Sequence, residues 1–149
     1  MNLVLRRVVE INATPAKVWT TITDPKITKH WAMGLEVSSE WKAGSPIIWK
    51  GMSDGKEIIH KGQVLDIELK RLLQISDFGL EMGLEDIETN YTRITYELST
   101  KSERTVLTVT EDRFNGNKER YRDAESFWDK VLQWIKAIAE QDSESSIKQ

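Results

Sequence analysis

The sequence predicts an α+β fold in which an antiparallel sheet wraps around one long C-terminal helix. Three observations carry this. Residues 118–140 contain no Pro or Gly, and they set Tyr121, Ala124, Phe127, Trp128, Val131, Trp134, Ile135 and Ile138 at helical spacing. Residues 35–113 divide into short apolar runs separated by turn clusters, the pattern of antiparallel strands. A first strand precedes those runs, and two proline-headed helical segments lie between.

The elements follow in order. Residues 3–12 alternate as a strand, with Leu5, Arg7, Val9 and Ile11 on one face and Val4, Arg6, Val8 and Glu10 on the other. Thr14-Pro15 reads as an N-cap and first helical position, and Val18, Trp19 and Ile22 give that helix an apolar stripe. Asp24-Pro25 stops it, because the residue before a proline avoids the α region, and Asp24 can cap a second short helix ending at His30-Trp31. Val37 and Trp41 precede a turn at AGSP. Ile47, Ile48 and Trp49 form a strand that ends at GMSDGK. Residues 57–69 are strand-like, with Gly62 as a bulge or bend and Leu65, Ile67 and Leu69 alternating against Asp66 and Glu68. Residues 72–78 follow, then an acidic loop over 79–90. Two alternating strands come next, carrying Ile94, Tyr96 and Leu98, then Leu107 and Val109, with Ser102-Glu103 in the turn between them. The last helix, at 1.5 Å per residue, is about 34 Å long and suits a helix lying along a curved sheet. Residues 1–140 read as one domain and 141–149 as a polar tail that frays.

Composition narrows the function. There is no cysteine, so thiolate chemistry, thiolate metal sites and disulfides are excluded. That fits a reducing, cytoplasmic setting, and no signal peptide or membrane-length apolar run is visible. Twenty-one basic residues are interleaved with 24 acidic ones for a net charge of -3, which argues against a nucleic-acid surface. Six tryptophans need a large apolar space or groove to fill.

The blocks INATPAKVWTTITDPKITKHW, WKAGSPIIWKG, KGQVLDIELKRLLQISDF, NYTRITYELSTKSERTVLTVTEDRF and FWDKVLQWIKAIAE also carry a resemblance. In this order they resemble the SRPBCC group of START-like proteins, in the branch related to the activator of heat-shock protein 90 ATPase. The match covers nearly the whole chain. It departs at Ala43-Gly44-Ser45, where paired glycines are common, and at Phe127, where a glycine is common. The resemblance implies the helix-grip fold, a curved antiparallel sheet gripping the C-terminal helix, often around an apolar cavity. Members include lipid carriers, cyclase-like enzymes and chaperone activators linked to stress response, so membership leaves function open.

Strand alternation and the helix stripe assign the walls of such a cavity. They are Val9 and Ile11, Trp49, Ile94, Tyr96 and Leu98, and Leu107 and Val109, over a floor of Phe127, Val131, Trp134 and Ile135. The short helix pair forms the lid, with Trp31 at its edge. Arg7 shares the inward face, where it either anchors a ligand carboxylate or sits at the rim beside an acidic side chain. His30 either faces water or contacts a ligand's polar end; the first is favoured, since a lone histidine without a visible partner is weak evidence. Ser53 near Asp54 and His60 is the one local arrangement resembling a hydrolytic triad, and its place on a turn weighs against it. No metal-ligand spacing surrounds His30 or His60. GLEMG lacks the context of a phosphate loop, and Glu85-Asp86 and Asp66-Glu68 read as solvated faces.

The reading is therefore non-catalytic binding of a small hydrophobic or amphipathic molecule, with no cofactor. Alternatives are a protein-interaction module resembling the chaperone activator, and a cyclase- or hydratase-like enzyme. The expected partners are that ligand and a possible chaperone, without nucleic acid or membrane insertion, and the chain is expected as a monomer or weak dimer.

Overall fold

The structure, a computed structural model, describes residues 2–147, with side chains through Gln141. β1 (Leu5–Ile11) is followed by α1 (Pro15–Thr23) and α2 (Pro25–Trp31). Then come β2 (Glu36–Ser39), β3 (Pro46–Ser53), β4 (Lys56–Glu68), β5 (Leu72–Gly79), β6 (Thr92–Lys101) and β7 (Arg104–Asp112), and finally α3 (Lys118–Ile147). The strands form one antiparallel sheet in the order β1-β7-β6-β5-β4-β3-β2. This is the helix-grip architecture that the sequence predicts. Among the described residues, no helix is long and apolar enough to cross a membrane.

Local chemistry explains the element ends. The Thr14 side chain accepts from the Lys17 N–H, and Asp24 ends α1 while its carboxylate accepts from the Lys26 N–H to start α2. Ser102 and Glu103 both have positive φ, so the β6–β7 connection is a two-residue hairpin turn. Asp54-Gly55, also at positive φ, makes the β3–β4 turn tighter than the six residues GMSDGK suggest.

Three details differ from the sequence reading. The β4–β5 register shifts between Val64 and Asp66. The alternation expected for Leu65 and Leu69 therefore fails: Val64 is buried, while both leucines are exposed. Gly62 marks a close approach instead, since a Cβ there would lie 1.8 Å from the Ser76 carbonyl oxygen. The loop over 79–90 contains two short 3-10 turns, Leu80–Met82 and Glu88–Asn90. Helix α3 continues beyond Glu140 to Ile147, into the predicted tail; residues 148 and 149 lie outside the described residues.

The position of α3 decides where space is left. It is tied to β1: Arg7 pairs with Glu125 and Asp129, Lys136 Nζ donates to the Glu10 carbonyl, and the Asn12 N–H donates to Glu140. A helix with its side chains is about 10 Å across, whereas seven strands spaced about 4.8 Å apart span roughly 29 Å. One helix at the β1 end cannot cover the inner face out to β3. Helices α1 and α2 cover part of the remainder, and a hollow is left between.

Candidate functional site

The hollow has a volume of about 410 Å³ and lies between α3, α2 and the inner faces of β3–β6. Alternation along each strand brings its wall together: Trp49 from β3, Ile58 and His60 from β4, Ile75 and Asp77 from β5, Ile94 and Tyr96 from β6, and Glu111 from β7. Helix α2 and the residues after it add Trp31, Ala32, Met33 and Leu35. Helix α3 adds Arg120, Asp123, Ala124, Phe127 and Trp128, and the turn after β5 adds Glu81 and Met82.

One wall is made of rings. Trp31 and Trp49 meet edge to face with centroids 5.7 Å apart, and Trp128 meets Tyr96 at 5.8 Å and Phe127 at 5.1 Å in the same manner. Trp31 is fixed because its indole N–H donates to the Thr21 carbonyl at 2.8 Å.

The other wall is charged. His60 lies between two carboxylates, with Nδ1 3.1 Å from Asp77 Oδ2 and Nε2 2.8 Å from Glu81 Oε2. Burial alone would lower the His60 pKa. The hydrogen bonds and charges of Asp77 and Glu81 outweigh it and raise the imidazole to about 9. Gly79 makes room for the ring, since a Cβ there would lie 2.8 Å from His60 Cε1 and Nε2. Glu111 is only 7% exposed. Its carboxyl accepts from Thr92 Oγ1 at 2.7 Å and from Trp128 Nε1 at 2.8 Å. Burial, helped by the Asp77 charge, raises it to about 7 against the lowering effect of those hydrogen bonds and of Arg120. The Arg120 guanidinium donates to the carbonyls of Asn90 and Asp77.

The Tyr96 hydroxyl differs from its neighbours. It has no hydrogen-bond partner among the described residues. No sealed polar side-chain atom there lacks a partner, so this hydroxyl opens on the hollow that Tyr96 lines. Burial, with the charges of Asp77 and Glu111, raises its pKa and keeps it a neutral O–H.

Of the residues that the sequence assigns to a cavity, Trp31, Trp49, Ile94, Tyr96 and Phe127 lie on this wall. Ile11, Leu98, Leu107, Val109, Val131 and Ile135 do not; they are buried in closed core under α3, and Val9 is packed against it. These residues face inward as alternation requires, but at the end of the sheet where the helix leaves no room. Trp134 is 40% exposed and lines no part of the hollow, so it is no part of a floor. Arg7 is taken by Glu125 and Asp129, the rim alternative, and is not on the wall. His30 faces water, beside but outside the hollow. His60 pairs with Asp77 and Glu81 rather than with Ser53 or Asp54, so no serine triad forms.

Sequence reasoning missed the polar wall, although a signal existed. Glu111 continues the inward phase of Leu107 and Val109, Asp77 that of Leu73 and Ile75, and His60 that of Ile58. A larger hollow of about 1250 Å³ on the outer face of the sheet offers no comparable convergence: there Arg93 pairs with Asp112 and Lys61 with Asp86. Among the described residues, no cluster of three or more His, Cys, Asp or Glu side chains is arranged to hold a metal ion.

This fold and cavity can be set beside known proteins. The family model described as "Activator of Hsp90 ATPase homolog 1-like protein" matches residues 12–140. The chain belongs to that family. A solution structure of ChR145 from Cytophaga hutchinsonii is 31% identical with a TM-score of 0.78, and the match covers 95% of this chain and 97% of that one. The Aha1 dimer from Colwellia psychrerythraea is 17% identical with a TM-score of 0.73, covering 93% and 96%. DynU16, from the dynemicin biosynthetic locus, is 18% identical with a TM-score of 0.71, covering 89% of this chain and 45% of that one. The last two show the shared fold. No curated protein matches the chain.

Proposed function

We propose that the chain binds a small, largely apolar molecule in the cavity between α3, α2 and β3–β6, without covalent chemistry. The observation that carries this is the geometry of the hollow: about 410 Å³, walled by five aromatic side chains from α2, β3, β6 and α3 and bordered by a few convergent polar groups. Sites for small ligands typically have about 300–1,000 Å³ and this mixture of linings. The test is a titration with naphthalene followed by intrinsic tryptophan emission. Trp31, Trp49 and Trp128 line the cavity, so quenching saturates at one probe per chain. Ala124→Trp, which fills the space, abolishes the saturable phase while the protein stays folded by near-ultraviolet circular dichroism.

A second reading is a protein-interaction module, supported by the family's description as ATPase-activator-like and by Trp134, a large ring left 40% exposed on α3. Stimulation of an Hsp90-type ATPase by the chain, lost in Trp134→Ala, would favour it.

A further inference from the structure

The charged wall indicates which head group the cavity accepts, and the inference rests on the container reading above. The two cations there are already engaged: His60 bridges Asp77 and Glu81, and Arg120 donates to the carbonyls of Asn90 and Asp77. Facing them are Asp77 from β5, Glu81 from the turn that follows, Glu111 from β7 and Asp123 from α3. Four carboxyl groups therefore meet two cations. An entering carboxylate adds a fifth acid to a site from which water is partly excluded, and it meets no uncommitted cation there. An uncharged carbonyl or hydroxyl adds no charge. It also meets the Tyr96 hydroxyl, on a residue only 2% exposed, which has no hydrogen-bond partner among the described residues. Such a hydroxyl rewards a ligand that completes its hydrogen bonding, because the alternative is a poorly satisfied polar group.

We propose that the cavity selects an uncharged molecule bearing a carbonyl or hydroxyl on an apolar body. The Tyr96 hydroxyl reads that group, and Glu111 with Asp77 turns carboxylates away.

The test is calorimetric titration of the full chain with three probes of one size class: naphthalene, acetylnaphthalene and naphthoate. Acetylnaphthalene binds about tenfold tighter than either of the others, the effect of one well-placed hydrogen bond. Tyr96→Phe removes the acetylnaphthalene advantage, so that the ketone and naphthalene bind the variant alike. At about pH 8, where the Glu111 carboxyl is ionised, Glu111→Gln recovers part of the naphthoate binding, since the amide removes the like charge. Naphthoate binding tightest, or an acetylnaphthalene advantage that survives Tyr96→Phe, overturns the proposal. If naphthalene binds and the ketone gains nothing, this inference falls while the container reading stands; if none of the three binds, both fall. Should Tyr96→Phe fail to fold, the ranking of the three probes on the native chain decides alone.

Discussion

Replacing Glu111 by glutamine is expected to stabilise the protein at alkaline pH. The carboxyl is 7% exposed, and burial raises its pKa from the ordinary 4.5 to about 7. A folded-state value above the unfolded one means that the folded state binds more protons between the two, so stability falls as pH rises through that window. At about 1.4 kcal/mol per unit, the full cost above pH 7 is about 3 kcal/mol, present in the native protein and absent from the amide. Glutamine also keeps the local hydrogen bonds: its oxygen accepts from Trp128 Nε1, and its N–H₂ donates to Thr92 Oγ1, at the positions that the carboxyl occupies. The assay is urea unfolding of both proteins at about pH 5 and about pH 8. Glu111→Gln should match the native protein within about 1 kcal/mol at the lower pH and exceed it by about 2–3 kcal/mol at the higher. A variant that is less stable than the native protein at both values would show that Glu111 is a favourable anion and would refute the burial argument.

His60 gives a separate pH signature. Its pKa is raised to about 9, so its pairing with Asp77 and Glu81 contributes fully below about 6.5 and is lost as pH rises through 9; His60→Gln should cost about 2 kcal/mol in urea unfolding near pH 6 and nothing near pH 10. Val131→Asp places a charge in closed core under α3 and should cost several kcal/mol, on the order of 3–5, or abolish folding, read by thermal melting. Val109→Phe, also in closed core, should destabilise by about 2 kcal/mol or more without changing probe affinity per folded molecule, whereas Ala124→Trp blocks the probe. His30→Ala, at an exposed position outside the cavity, should leave stability and affinity within about 0.5 kcal/mol.

The fold could be read from local rules because each rule acts within a few residues. Thr14-Pro15 and Asp24-Pro25 place both short helices, and their caps bond as that reading requires. The alternation of Ile94, Tyr96 and Leu98 against Leu107 and Val109 sets the β6–β7 face, and the stripe through Trp128 and Val131 sets the buried side of α3. The cavity depends on something that no local pattern contains, namely which strands the helix covers. Inward phase is the same for Val109 and Tyr96, yet one is sealed beneath α3 and the other opens on the hollow. The offset comes from the bonds that fix α3 to β1, among them Arg7 with Glu125 and Asp129, which are 118 and 122 residues apart in sequence. The polar wall was obscured for the same reason. His60, Asp77, Glu111 and Arg120 look like isolated surface charges until the strands align them. Leu65 shows the opposite failure, where one extra residue in β4 defeats a clean alternation.

The container reading is tested most directly by the indole N–H resonances of the six tryptophans during a naphthalene titration, since each reports its own place in the fold. The account predicts that the signals of Trp31, Trp49 and Trp128 shift and saturate together at one probe per chain, while that of Trp134 stays where it is. Movement of Trp134 alone, or of no indole signal at all, would contradict it.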